Sequence, residues 1–183
     1  MQDYVVRSTV THAESAARRA ADVIITLFFC AAAVFVLFRF VWVPVAVASP
    51  QVNELEDGEL VIADRISKWF AEYEPGDIVR ADTGDGMNMY RVAVCAAPGG
   101  DMELEISGGR LYVNGGLLDE SAYTEGFDPS LELFETLPSG SVLLLPDDRG
   151  GIASLDKYML PVNEVYGKLR FRIYPFNKLS LFK

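Results

Sequence analysis

The sequence predicts a mainly β ectodomain carried on a single N-terminal transmembrane helix, and three observations predict it. Val23–Val43 is an apolar run of 21 residues with one charge, Arg39. As a helix it would be roughly 31 Å long, matching the hydrocarbon core of a bilayer. Beyond it the hydrophobic period changes from helical to two, in short segments rich in Val, Ile, Leu and Tyr. Gly, Pro and Asn clusters punctuate those segments as turns. The expected organisation is a cytoplasmic tail (1–22), a transmembrane helix (23–43) and an extracytoplasmic β-rich domain (44–183).

The apolar run has one competing reading. Ala46-Val47-Ala48 has the small-x-small pattern of a secretory cleavage site. A cleavable signal, however, has a 7–15-residue apolar region, shorter than this one, and a 22-residue polar tail precedes the run. An anchor is the better reading. Arg39 lies near the end of the run, where a long cationic side chain reaches the headgroups, and Trp42 suits an interfacial ring. Arg7, Arg18 and Arg19 precede the run, and the next cation after Arg39 is Arg65. The positive-inside bias therefore puts the N-terminus in the cytoplasm and the rest outside, in a single-pass protein of the cytoplasmic membrane. From Pro44 the chain reaches position 50 in six residues, so that position is expected within roughly 20 Å of the lipid.

Residues 44–183 carry 12 Lys+Arg against 23 Asp+Glu, a net −11. So acidic a domain argues against nucleic acid and against a broad anionic-lipid surface. Cys30 lies in the span and Cys95 in the soluble part, so they cannot pair, and Cys95 reads as a small buried hydrophobe. The one histidine, His12, is in the tail. The ectodomain therefore holds no Ser-His or Cys-His pair and no histidine-based metal site. No cofactor and no metal are implied.

The tail, Met1–Ala21, reads as a short helix or a disordered lead-in. After the span, Leu60-Val61-Ile62 follows the turn Asp57-Gly58, and Ile78-Val79 follows Pro75-Gly76-Asp77. Met89–Ala96 is a longer β-rich run closed by Pro98-Gly99-Gly100. Glu103–Ile106 and Arg110–Val113 alternate across Ser107-Gly108-Gly109 as a hairpin, and Asn114-Gly115 opens a second tight turn. Ser121–Ser139 reads as an acidic loop, and Val142–Leu145 as a buried strand. Lys168–Tyr174 alternates, which places Leu169, Phe171 and Ile173 on one face and Arg170 and Arg172 on the other. Trp69, Phe70 and Tyr73 suit either the core or a lipid-facing surface. The acidic strip Glu54, Glu56, Asp57 and Glu59 reads as a solvated face.

In order and spacing these segments resemble a type I signal peptidase (leader peptidase). PQVNELEDGELVI, Pro50–Ile62, is similar to that family's nucleophile motif S-M-x-P-T-L-x-x-G-D-x-V-L-V, with Leu55, Gly58, Leu60 and Val61 in register. Pro75–Val79 resembles R-G-D-I-V, and Tyr90–Asp101 resembles K-R-V-I-G-L-P-G-D with extra residues before Pro98. Gly108–Gly115 nearly keeps the D-G-K-L-Y-V-N-G hairpin. The box G-D-N-R-x-x-S-x-D-S-R corresponds to Pro146-Asp147-Asp148-Arg149 and then Ser154-Leu155-Asp156-Lys157-Tyr158. Pro161–Pro175, with Gly167-Lys168 and Phe171-Arg172, resembles the closing motif. The resemblance runs from about residue 23 to 176 and implies a signal-peptidase-like β-rich ectodomain.

The resemblance fails at the chemistry. In that family a serine hydroxyl attacks the scissile carbonyl and a buried neutral lysine takes its proton, because an unassisted hydroxyl is a poor nucleophile. Here Pro50 stands at the serine position and Tyr90 at the lysine position. Proline has neither a nucleophile nor an N–H to help bind an oxyanion. Ser49 would align after a one-residue shift, but it needs a base. Arg91 stays protonated, and a buried phenol titrates above 10. Lys157 stands where the family has a structural arginine and Lys168 within its G-K pair. Asp147, Asp148, Arg149, Ser154, Asp156 and Lys157 fall in a box that is structural in the family. Asp147 and Asp148, being adjacent, are expected to point apart.

The resemblance implies a membrane-anchored homologue of an enzyme that removes signal peptides from exported proteins. Without the Ser/Lys dyad, the expectation is a catalytically silent protein with a peptide-binding or accessory role in export. Its expected partners are the lipid bilayer and exported precursor peptides or an active signal peptidase. Two alternatives stand: an active signal peptidase using Ser49 as a shifted nucleophile, and an unrelated single-pass β-domain interaction protein.

Overall fold

The structure, a computed structural model, describes residues 2–67 and 73–182, with side chains from Arg18 onward. It divides into two units, residues 1–41 and 42–183. The first is a helix, α1 (Gln2–Val36), continued by a π-helical turn over Leu37–Val41. Arg18–Val41 within it is long and apolar enough to cross a membrane. The tail is helical and continuous with the apolar run. Strand structure begins at Trp42, where the sequence reading carries the span on to Val43.

The second unit is mainly β, as its alternating segments predict. An eight-stranded sheet has the order β1 (Trp42–Ala46), β2 (Leu60–Asp64), β11 (Gly167–Tyr174), β3 (Ile78–Asp82), β4 (Met87–Cys95), β9 (Ser141–Leu145), β10 (Met159–Pro161). Strand β12 (Ser180–Leu181) pairs with the second half of β11. A four-stranded sheet has the order β7 (Gly116–Leu117), β6 (Arg110–Val113), β5 (Met102–Ser107), β8 (Leu133–Leu137). Every pairing between these strands is antiparallel.

The expected hairpin is β5–β6. Its turn is Gly108-Gly109, both at positive φ, and Asn114-Gly115 likewise turns β6 into β7 with φ of 51° and 77°. The main core draws Leu104, Ile106, Leu111 and Leu137 from the four-stranded sheet and Val92, Leu143, Leu144 and Leu145 from the eight-stranded one. Tyr73 is buried in that core. Trp69 and Phe70 lie outside the described residues. A smaller cluster, Val45, Val47, Val52, Leu55, Val61, Ala63, Ile78, Met89 and Leu169, packs beneath the β1–β2 connection.

Two sequence expectations are corrected. Ser121–Ser139 is not all loop, because its last third forms β8, with Leu133 and Leu137 turned inward and Phe134 and Thr136 outward. The acidic residues interleaved there hide the two-residue period. Leu169 and Phe171 also do not share a face. A bulge between them makes Leu169 partner Ala63 and Phe171 partner Ile62, and the extra residue turns Phe171 to the opposite face; a second irregularity follows between Arg172 and Tyr174. Leu169 is therefore fully buried while Phe171 is exposed. Gly167, which opens β11, is needed for close approach: a Cβ there would stand 2.7 Å from the Asp64 carbonyl oxygen.

Candidate active site

The site expected from the sequence lies on the connection between β1 and β2. That connection closes on itself: Val47 N–H donates to Glu59 O at 2.8 Å, and Gly58 N–H donates to Val47 O at 3.0 Å. Val52 and Leu55 plug it into the smaller core. Ser49 is exposed at φ 46°, its N–H donates to Asp57 Oδ1, and its carbonyl accepts from Gln51 Nε2 at 3.4 Å. Among the described residues, Ser49 Oγ takes part in no hydrogen bond. Pro50 follows it, half-buried.

Glu54, Glu56 and Asp57 of the acidic strip are exposed, as a solvated face would be, but each has a partner, and Glu59 is buried. Asp57 holds the Ser49 N–H. Glu54 accepts from Arg91 Nη2 at 3.2 Å, and Glu56 from Lys178 Nζ at 2.6 Å. Glu59 is buried, 3.0 Å from Arg172 Nε. The cations come from β4, β11 and the turn after β11, so Glu54, Glu56 and Glu59 each fix the loop to a different part of the fold, while Asp57 closes it on itself. From its own neighbourhood in the sequence the strip looked like four charges on a turn.

Tyr90 and Arg91 are adjacent on β4 and turn to opposite sides. Tyr90 enters the main core, where its hydroxyl meets Thr83 Oγ1 at 2.7 Å and its ring lies edge-on to Tyr158 at 6.3 Å. Burial pushes the Tyr90 phenol above its ordinary value, and the Thr83 hydrogen bond only partly offsets this. Arg91 turns toward the loop. Its Nε and Nη2 donate to Asp147 at 2.9 and 3.2 Å, and Nη1 donates to Gly76 O at 3.0 Å. Burial alone would lower its pKa, but the hydrogen bond and charge of Asp147, followed by Glu54, raise it. The Tyr123 ring covers its guanidinium at 4.2 Å.

Asp147 also accepts from Asn53 N–H at 2.9 Å, and its own N–H donates to Gln51 O at 2.8 Å. It therefore ties residues 51–53 to β4. Asp148, next to it, is exposed and, among the described residues, accepts only from Gly150 N–H at 3.2 Å, so the two carboxylates do not converge. Arg149 is buried against Glu120, donating to both carboxylate oxygens, with Nη2–Oε1 at 2.7 Å. Ser154 Oγ donates to Asp156 at 2.8 Å, and Lys157 Nζ lies 3.2 Å from Asp85, all at the surface. Glu120 was missed by sequence reasoning. Its one signal is the need of a buried arginine for a carboxylate.

Asn53, Glu54, Arg91, Tyr123, Asp147 and Asp148 border a cleft of about 920 Å³. Among the described residues no group of His, Cys, Asp and Glu side chains is placed to hold a metal ion.

Compared with known proteins, residues 20–174 match the family model of signal peptidase, peptidase S26. The chain belongs to the signal peptidase family. That membership removes the alternative of an unrelated β-domain protein. A thylakoidal processing peptidase from the chloroplast of Arabidopsis thaliana is 29% identical over 168 residues, covering 83% of this chain and 48% of that protein. The chain thus spans about half the length of the curated relative it matches. A crystal structure of a signal peptidase I from Enterococcus faecalis matches with 20% identity and a TM-score of 0.39, covering 54% of this chain and 97% of that one. The apolar N-terminal helix and the family together fit a membrane-anchored protein.

In this signal peptidase homologue the described lysines of the β unit are all engaged by carboxylates. Lys168 Nζ is buried 2.5 Å from Asp77 Oδ1, Lys178 is on Glu56, and Lys157 is on Asp85.

Proposed function

We propose that this signal peptidase homologue binds exported peptides or an active relative at the membrane and does not cleave them. One observation carries the reading. Ser49 Oγ has no hydrogen-bond partner among the described residues, and every described lysine of the β unit is paired with a carboxylate. The residue at the family's general-base position, Tyr90, bonds instead to Thr83 inside the core. Pro50 at the nucleophile position supplies neither hydroxyl nor N–H.

Binding is supported by the sheet edge. β1 ends the eight-stranded sheet, so its outer edge has no partner among the described residues and offers backbone groups to an extended peptide. The bilayer is the second partner. Trp42, Phe171, Tyr174, Phe176, Leu179 and Leu181 are all exposed, and Trp42 packs edge-on to Phe171 at 6.4 Å. Trp42 directly follows the apolar helix, so this surface starts at the membrane end of the chain. The orientation that suits an export role has the N-terminus in the cytoplasm and the β unit outside, as Arg18 and Arg19 favour.

The test incubates the membrane-inserted full chain with a precursor carrying an A-x-A cleavage site, beside a Ser49→Ala variant. The expected result is an uncut precursor with both. Cleavage by the parent and none by Ser49→Ala would overturn silence and install the shifted nucleophile.

A further inference from the structure

The four-stranded sheet has one face in the main core and one face that no described residue covers. On the covered side Leu104, Ile106, Leu111 and Leu137 are fully or almost fully buried. On the open side the register lines up one row across all four strands: Leu117 opposite Tyr112, Tyr112 opposite Glu105, Glu105 opposite Phe134. Three inter-strand spacings make this row about 14 Å long. Leu117 is 50% exposed and Phe134 66%, so neither contributes to the core.

The chemistry of the row is specific. Glu105 stands between two aromatic rings, and Glu103, the next outward residue on β5, is exposed too. Among the described residues, neither carboxylate has a hydrogen bond or an ion pair. Glu132, just before β8, accepts from Ser107 Oγ at 3.2 Å and adds a third negative charge at the same face. The one cation in the register is Arg110, at the hairpin end opposite Ser107.

A carboxylate flanked by rings complements a guanidinium or ammonium group. The charge is met by Glu105, the faces of Tyr112 and Phe134 attract a cation, and its methylene stem finds apolar cover. The same charges argue against other occupants. Anionic lipid and nucleic acid are repelled. A second copy docked face to face would set Glu105 against Glu105.

We propose that the open face of the four-stranded sheet is a docking surface for a protein partner that presents an arginine or lysine between apolar side chains. The cation seats on Glu105 and the apolar neighbours rest on Phe134, Tyr112 and Leu117. This surface does not involve Ser49, Pro50 or the free edge of β1, so it stands whether or not the chain cuts peptides.

The test uses the full chain in nanodiscs of zwitterionic phosphatidylcholine, with empty discs subtracted. The probe is a fluorescent seven-residue peptide alternating leucine and arginine, beside a counterpart with glutamate at each arginine. Anisotropy is expected to show saturable binding of the arginine peptide alone. Phe134→Ser and Glu105→Gln should each raise its Kd at least tenfold. Glu164→Gln, which removes one exposed charge elsewhere, should change it less than twofold. Phe134 is exposed, so its variant is expected to fold, which circular dichroism checks. The proposal falls if binding is absent, if the acidic peptide binds equally, if Phe134→Ser has no effect, or if Glu164→Gln matches Glu105→Gln. Self-association of the chain abolished by Phe134→Ser would also overturn it, in favour of a second copy.

Discussion

Arg91 donates two hydrogen bonds to Asp147, 2.9 Å from Nε and 3.2 Å from Nη2, and both residues are buried. Asp147 also holds the Asn53 N–H, so β4, the segment after β9 and the loop after Pro50 meet at a single side chain. Removing the carboxylate leaves a buried guanidinium held, among the described residues, by Glu54, the Gly76 carbonyl and the Tyr123 ring. Asp147→Ala is therefore expected to destabilise the β unit by about 3–5 kcal/mol. Thermal unfolding followed by circular dichroism in detergent checks this. A variant that melts with the parent would show that the pair contributes no net stability.

If the proposed reading holds, placing a hydroxyl at position 50 should not by itself produce cleavage. Pro50→Ser supplies a nucleophile, but Tyr90 remains bonded to Thr83, with its phenol pushed above its ordinary value by burial. The expected outcome is no cleavage of an A-x-A precursor at neutral pH. Turnover by this single variant would reveal a base among the residues outside the described set, Lys68 included.

Tyr90 also makes a stability prediction. Tyr90→Phe leaves the Thr83 hydroxyl without its buried partner and should cost about 1–3 kcal/mol. The raised pKa means the neutral phenol is favoured in the fold. That stability is fully present below the unfolded value of 10.0 and is lost as pH rises toward the folded value. Parent and Tyr90→Phe should therefore converge in melting temperature above pH 10.

On the acid side the sensitive group is Asp64. Burial works to raise its pKa, but the Ser67 hydroxyl, the N–H groups of Ile66 and Ser67, and then Arg170 together hold it below its ordinary value of 3.8. A depressed carboxylate contributes stability above its unfolded pKa and loses it as pH falls through the folded one. The parent's advantage over Asp64→Asn should be constant near neutrality and shrink below about pH 4. An advantage that persists unchanged to pH 2 would assign the effect to something other than this charge.

Gly167→Ala tests the approach of β11 to β2. A methyl group 2.7 Å from the Asp64 carbonyl oxygen must push backbone apart, at an expected cost of about 1–3 kcal/mol. Hydrogen exchange should then show faster exchange in β2 and the first half of β11 than in the β5–β6 hairpin.

What the sequence made legible were features that repeat locally. The hairpin at Ser107-Gly108-Gly109, the Asn114-Gly115 turn and the buried strand at Val142–Leu145 each announce themselves within ten residues. The order of motifs was enough to find the family. Hidden were features that depend on distant partners. β8 is written in a segment where Glu132 and Glu135 interrupt the apolar pattern, and it is fixed by pairing with β5. Phe171 left its expected face because of a bulge set by β2. The four acids after Pro50 find their cations 37 to 122 residues away in sequence, or, for Asp57, a backbone N–H across the loop.

The bond between Tyr90 and Thr83 also bears on how this lineage can change. A lysine put back at position 90 would have to bring an ammonium group, or its desolvated neutral form, into a space now shaped around a ring that leans on Tyr158. Such a reversal would weaken the domain before a matching serine could reward it, and the serine alone gains nothing without the amine. On the proposed reading, building a serine and lysine pair at positions 50 and 90 would take two simultaneous replacements, with repacking around them. Descent from an enzyme would here be a ratchet.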